Sequence, residues 1–148
     1  MDEAFEIAGT DDFIKLTFDE VFGFPQRTCH WGGYETRSKL EVKSADIYMK
    51  SSLFVTTGDI FEFTEQLKVC YEKLEGSATF TSCESNLQFT ATFDKTGQVH
   101  VSGHFQLYTM EKNEFTFNFY TDQSYITKTL EQLETIISKF GDMKGIKN

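Results

Sequence analysis

The feature that most constrains the fold is an apolar–polar alternation on both sides of a four-residue turn. Apolar residues occupy alternate positions in residues 87–93 and again in 99–107, and Asp94-Lys95-Thr96-Gly97 separates the two runs. A period of two puts successive side chains on opposite faces of a strand, so each run predicts a strand with one buried face. Gly97 can adopt the positive φ that the turn requires. This segment therefore predicts a β-hairpin.

The same alternation recurs in residues 14–18, 37–43 and 115–119, and residues 47–55 form a further extended run. Each of these segments predicts another strand, because the alternation again separates a buried face from a wet one. A break at Ser44 to Asp46 predicts a hairpin between residues 37–43 and residues 47–55.

Two other segments place apolar residues at intervals of three and four, the spacing of a helix with one buried face. Asp59 and Glu62 form a capping-box-like pair at the start of the first helix, and Gly76 supplies a stop after it. In the second, Asp122 or Ser124 provides the N-cap and Gly141 lies just past the end.

A block of strands, a helix, a second block of strands and a final helix together predict an α+β fold. We expect an antiparallel sheet of about six to eight strands with two helices packed on one face. The chain has 148 residues, one proline and no linker-like stretch, so residues 1–148 form a single domain in this interpretation.

The net charge of the chain disfavours one class of function, the binding of nucleic acids. Fourteen basic and 23 acidic residues give a net charge of −9, which disfavours direct nucleic-acid binding. The chain opens without a basic stretch before an apolar run, and no apolar run is long enough to span a membrane. Cys29, Cys70 and Cys83 are an odd and widely spaced set, so we expect free thiols in a soluble cytoplasmic protein.

No nucleophile-elbow, phosphate-loop or dinucleotide signature is present in the sequence. His100 and His104 share one face of a predicted strand, where they are either solvated or a pair of metal ligands, but no acid or cysteine stands at ligand spacing nearby. Cys29 and His30 are adjacent, so on an extended chain their side chains point to opposite faces. We therefore predict no enzyme, no catalytic residue, no metal and no cofactor.

Acidic residues bracket the first alternating strand. Asp11 and Asp12 precede it, Asp19 and Glu20 follow it, and residues 1–20 carry seven acids and one base. One interpretation is a solvated surface near turns. The other is an acidic patch that recognises a basic partner.

Residues 22–35 crowd aromatic residues and glycines into a predicted loop. Trp31, Tyr34 and Glu35 are its candidate partner-binding residues, because large aromatic side chains with a polar group are good interface anchors. The alternative interpretation is that Trp31 and Phe24 close one end of the core.

Four segments carry a resemblance to a known family: Gly23-Phe24-Pro25, Trp31-Gly32-Gly33-Tyr34, Asp122-Gln123-Ser124-Tyr125 and Thr129-Leu130. On these residues the chain resembles the WapI family of bacterial immunity proteins. The resemblance implies a cytoplasmic antitoxin that binds the toxic C-terminal domain of a large secreted or wall-associated protein, a domain that is typically an RNase acting on tRNA. The partner would then be a protein, and the mechanism would be occlusion.

The acidic balance is compatible with that role, since a nuclease that holds RNA is commonly basic. A small-ligand or enzymatic domain with a site around His100 and His104 is the alternative, and it predicts a concave site on which those side chains converge. The sequence does not determine the oligomeric state.

Overall fold

The computed structural model describes residues 3–107 and 111–146. Ten elements follow one another along the chain, in an order that repeats four strands and a helix twice. Their bounds are β1 Ala4–Ala8, β2 Phe13–Val21, β3 Glu35–Ser44, β4 Ile47–Thr56, α1 Thr57–Lys73, β5 Gly76–Thr81, β6 Leu87–Phe93, β7 Gln98–Gln106, β8 Glu114–Asp122 and α2 Gln123–Phe140.

The α+β class, the antiparallel strands and the order of the two blocks are confirmed. The eight strands form two four-stranded sheets rather than a single sheet: sheet A has the order β1-β2-β3-β4 and sheet B the order β5-β6-β7-β8. Each strand pairs with its neighbour in sequence, and α1 separates β4 from β5, so the pairing stops between the two blocks.

Both helices begin where a strand ends, without an intervening loop. Thr56 caps α1, and its side chain and that of Asp59 form a reciprocal capping box, three residues earlier than the predicted pair. Asp122 caps α2 and Gly141 ends it, as predicted. The C-cap of α1 is Leu74, which adopts φ 51°, whereas Gly76, the predicted stop, already begins β5.

A cluster of phenylalanines joins the two sheets through α1. The ring of Phe63 on α1 lies 6.3 Å from Phe5 of sheet A, 6.0 Å from Phe80 and 5.2 Å from Phe89 of sheet B, measured between centroids. Phe80 and Phe89 stack at 5.1 Å. All four rings are buried, so α1 connects the two inner faces into one core.

The helices pack against each other and against the first strand of each sheet. The helix α2 contacts β1, α1 contacts β5, and the helices contact each other. Each helix therefore packs on the edge strand of the other block. Within the described ranges, neither helix is long and apolar enough to cross a membrane.

Candidate functional site

Asp11 and Asp12 lie in the turn between β1 and β2. The Oδ1 atom of Asp12 accepts a hydrogen bond of 2.9 Å from the backbone N–H of Ala45, and Lys43 donates through Nζ to the backbone carbonyl of Asp11 at 2.9 Å. These bonds hold the β1–β2 turn against the β3–β4 turn. Asp12 is half-buried by this contact, whereas the side chain of Asp11 is exposed.

Asp19 and Glu20 lie at the opposite end of β2. The register with β3 shifts between Phe18 and Glu20, and both acidic residues are exposed at this bulge. Glu20 forms an ion pair of 3.5 Å with Arg37 on β3. A strand rises about 3.3 Å per residue, so roughly 26 Å separates Asp12 from Glu20. The predicted acids therefore form two groups rather than one patch.

The loop between β2 and β3 combines core and surface residues. Tyr34 is only 1% exposed, and its hydroxyl donates to the carbonyl of Pro25 at 3.0 Å and accepts from the N–H of Ile146 at 3.1 Å. Phe24 packs edge-on against Tyr34 and against Phe140, with centroid distances of 5.2 and 4.9 Å. Tyr34 and Phe24 thus close this end of the core.

Trp31 differs from those two residues because it is 50% exposed. Its indole packs edge-on against the ring of His30 at 5.8 Å, and Cys29 bonds weakly through Sγ to the carbonyl of Gly32, 3.7 Å away. His30 therefore faces Trp31 rather than the Cys29 thiol. Of the two loop aromatics predicted as partner contacts, Trp31 is the accessible one.

Glu35 begins β3, close to a thiol and to further carboxylates. Burial, together with the negative charges of Asp59, Glu84 and Glu35, raises the pKa of Cys83 to about 12. Asp59 accepts from the backbone N–H of Cys83 at 3.0 Å, which ties the β5–β6 loop to the start of α1. Burial also raises the pKa of Asp59, while its bonds from Thr56 and Cys83 lower it. The Cys83 thiol stays protonated at neutral pH and is a poor nucleophile.

Strand β4 connects the two acidic groups and was missed as a functional element. It starts at the turn that contacts Asp12, and near its end Phe54 pairs with Arg37, the partner of Glu20. Three of its large apolar side chains are exposed: Ile47 at 58%, Tyr48 at 52% and Phe54 at 38%. The sequence did contain a signal for this exposed apolar face. A strand with one buried face has apolar residues at every second position, whereas residues 47–55 have them at both even and odd positions.

The outer face of sheet B carries the histidines of the alternative interpretation. His100 lies against the ring of Tyr120 at 4.7 Å, and His104 pairs with Glu114 at 2.6 Å. Four residues along a strand correspond to about 13 Å, too far for one metal ion to bind both imidazoles. Within the described ranges no group of three or more His, Cys, Asp or Glu side chains could hold a metal.

The depression around these histidines is broad and shallow, with a volume of about 690 Å³. Ser, Thr, Gln and Asn side chains supply most of its remaining lining, and its two histidines engage different residues of β8. The two histidines therefore do not converge on one point of the depression.

A family model described as the immunity protein WapI-like family matches residues 6–141. That range includes both acidic groups, the loop with Trp31 and all of β4. No curated protein and no solved structure matches the chain.

Proposed function

The chain belongs to the WapI-like immunity protein family, and from this premise we propose that it binds the toxic C-terminal domain of a cognate bacterial toxin and neutralises it by occlusion. The toxin is a secreted or wall-associated protein, and its C-terminal domain is an RNase that acts on tRNA. The protein acts in the cytoplasm, where its three free cysteines stay reduced. The family match over residues 6–141 is the observation that carries this proposal.

The proposed contact surface follows β4 and the loop end of sheet A. Trp31 and Phe54 provide aromatic anchors, and Asp19, Glu20 and Glu35 supply negative charge beside them. Asp11 extends the acidic surface at the other end of β4. Exposed aromatic side chains ringed by charge are typical of interface centres with a polar rim.

A domain that cleaves RNA must hold a polyanion, so its substrate cleft is expected to be basic. Negative charge on the immunity protein would raise its rate of association with that cleft. Its carboxylates would then compete there with the phosphates of the RNA. Tyr34 and Asp12 support this surface from below, since Tyr34 anchors the loop and Asp12 holds the two turns together.

The test uses the C-terminal domain encoded by the gene adjacent to that of this protein. Calorimetry across a salt series is expected to give nanomolar binding that weakens as the salt concentration rises, because the acidic residues contribute through charge. Absence of binding at low salt would refute the immunity proposal. Cleavage of tRNA should stop at one immunity protein per toxin domain, whereas a catalytic mode of action would need far less.

A pair of variants locates the surface. Trp31→Ala is expected to weaken binding at least about tenfold, because truncation of a central aromatic anchor removes a large contact area. Tyr125→Ala is the matched control, since Tyr125 is similarly exposed but lies near the start of α2, about 22 Å along that helix from Phe140, which packs against the loop. If the two variants bind the toxin domain with equal affinity, the loop end is not the contact surface, although the protein still binds the toxin.

A further inference from the structure

The backbone of an edge strand has unpaired N–H and C=O groups, and in the middle of three of the four edge strands described here side chains of other elements bond some of these groups. In β1, the N–H of Glu6 donates to Oε1 of Gln132 at 2.9 Å, and its C=O accepts from the Thr129 hydroxyl at 2.6 Å. In β5, Gln66 bonds both the N–H and the C=O of Thr79. Side chains of the two helices thus interrupt both edges, which protects the sheets from unwanted strand pairing.

The edge of β8 is interrupted in a different way. The hydroxyl of Ser44 donates to the carbonyl of Asn118 at 3.0 Å, so the β3–β4 turn lies against the middle of this strand. The hydroxyl of Thr121 reaches across to the carbonyl of Ala8 at 2.6 Å. Sheet A therefore covers the second half of β8.

Strand β4 is the exception over its central part. In an antiparallel sheet the N–H and C=O of one residue point to the same side, and the side alternates along the strand. The carbonyl of Phe54 accepts from Cys83 and the N–H of Thr56 donates to Asp59, so both residues point away from β3. The register with β3 is continuous from Ser44↔Ile47 to Glu35↔Thr56. The backbone groups of Tyr48, Lys50 and Ser52 therefore point outward as well.

No hydrogen bond from another strand or helix within residues 3–107 and 111–146 closes that part of the edge. The N–H groups of Tyr48, Lys50 and Ser52 have no hydrogen-bond partner there, and the only bond to their carbonyls is a long one of 3.4 Å from Ser51 Oγ to Ser52. Three successive outward positions span about 13 Å of open edge. This length suits pairing with a short extended segment.

The two sides of this edge differ in chemistry. Toward the protein interior lies a groove of about 170 Å³, in which Met49 faces the apolar side chains of Phe105, Leu107 and Phe115. On the outer face stands Lys50, which forms no ion pair within the described residues, while its cross-strand neighbour Glu41 accepts instead from the Tyr48 hydroxyl at 2.7 Å. An apolar side chain fits the first side and a carboxylate the second.

We propose that an extended segment of the toxin domain adds to sheet A as a fifth strand along residues 48–52 of β4. This inference rests on the proposed function and specifies its binding mode. Backbone hydrogen bonds to Tyr48, Lys50 and Ser52 supply affinity. The alternating side chains of the segment supply specificity, because apolar ones enter the groove and an acidic one lies opposite Lys50. The basic body of the toxin then contacts the acidic groups at the two ends of β4.

A second copy of this chain is a poorer occupant of the same edge. Antiparallel pairing of β4 with itself about its central outward residue sets Lys50 opposite Lys50 of the other copy. Like charges directly opposite each other on one sheet face are destabilising. A lysine at the centre of an edge strand therefore disfavours self-association but accepts a carboxylate.

The decisive comparison is between Ser52→Pro and Ser52→Ala. Both variants remove the hydroxyl, but only proline removes the outward N–H, and proline is tolerated on an edge strand where that group is unpaired. Circular dichroism and thermal unfolding establish that both variants fold. Calorimetry with the toxin domain from the adjacent gene is expected to show Ser52→Pro binding about tenfold or more weakly than Ser52→Ala.

The outcomes separate the two proposals. If the unaltered protein does not bind the domain, the proposed function fails. If it binds and the two Ser52 variants bind equally, strand addition is wrong while the immunity function stands. A concentration-dependent dimer in sedimentation experiments without toxin, abolished by Ser52→Pro, would assign the edge to a second copy and overturn the proposal.

Hydrogen exchange on the unaltered complex provides a measurement that does not depend on a proline variant. The amides of Tyr48, Lys50 and Ser52 are expected to exchange quickly in the free protein and at least about tenfold more slowly in the complex. Unchanged exchange in a saturated complex would contradict strand addition. Lys50→Glu should also weaken binding, whereas Lys128→Glu on α2 should not.

Discussion

Asp59 performs two structural tasks with one carboxylate. Its side chain completes the capping box of α1 by accepting from the N–H of Thr56, and it also accepts from the N–H of Cys83 in the β5–β6 loop. Burial nevertheless raises its pKa, because the partial loss of hydration outweighs the stabilisation from those bonds. The residue therefore couples the stability of the fold to pH in a direction unusual for an acid.

We expect the charge of Asp59 to reduce stability as pH rises. A folded-state pKa above the unfolded value of 3.8 means that its contribution is fully present below pH 3.8 and is lost as pH rises through the folded pKa. Asp59→Asn cannot ionise and keeps an acceptor oxygen for the cap. Urea unfolding of both proteins should show the unaltered protein losing stability relative to Asp59→Asn over that window, from pH 3.8 upward.

Other acidic residues titrate in the same range, but they are common to both proteins and cancel in the difference. A difference in unfolding free energy that is flat with pH, or that moves in favour of the unaltered protein, would contradict the expectation. It would mean that the hydrogen bonds from Thr56 and Cys83 dominate over burial.

At the scale of elements, the two helices protect the sheets in matching ways. Gln66 is the tenth residue of α1 and Gln132 the tenth of α2, and each bonds the backbone of the first strand in the opposite block. A glutamine side chain can satisfy an N–H and a C=O at once, and Gln66 does so at Thr79. The similarity of the two halves therefore extends from the order of elements to individual side-chain contacts.

Removal of either side chain is expected to lower the unfolding free energy by about 1 kcal/mol, the usual net contribution of a hydrogen bond. Gln132 accepts a partly buried bond, and Gln66 makes two exposed ones. Gln66→Ala and Gln132→Ala test this by chemical denaturation. Gln98→Ala, at an exposed position at the start of β7, serves as the control. A loss no larger than that of the control would show that water replaces these contacts without cost.

The sequence predicted the long elements well because their periodicity is strict. The hairpin of β6 and β7 and the helix α2 with Gly141 after it appear where the patterns indicated. The strands β1 and β5 were missed, because five or six residues hold too few alternations to stand out. The predicted start of α1 was three residues too late, because a strand leads directly into the helix and Thr56 is both the last residue of β4 and the N-cap.

The candidate site was predicted less completely than the fold. Position along the chain placed Trp31 and Glu20 in loops and turns, but it could not show that Tyr34, in the same loop, points into the core. The open edge of β4 depends on which side chains reach the other three edges. Gln132 reaches Glu6 across 126 residues, and such long-range contacts leave no local pattern in the sequence.

At the scale of the whole molecule, the exchange of helices makes the two halves interdependent. The apolar face of α1 is buried against sheet B and that of α2 against β1, while Phe63 joins the two inner faces. Each half therefore buries most of its own helix against the other half. A short connection, Leu74 and Glu75, is all that separates the last residue of α1 from β5.

We therefore expect one cooperative unfolding transition. The fluorescence of Trp31 in the first half and far-ultraviolet circular dichroism of the whole chain should give the same midpoint in urea. Separate fragments covering residues 1–75 and 76–148 should be unfolded, since each lacks the strand that covers its helix. Two separate midpoints, or a folded fragment, would show that the halves are independent units.

The exposed position of Trp31 also gives the molecule an intrinsic optical reporter. The sequence contains a single tryptophan, half of whose surface meets solvent on the loop beside β4. The emission wavelength of an indole depends on its contact with water, so any partner that binds there shifts the fluorescence spectrum of the protein. Occupancy of that end of the fold can thus be followed in real time without a dye or a tag.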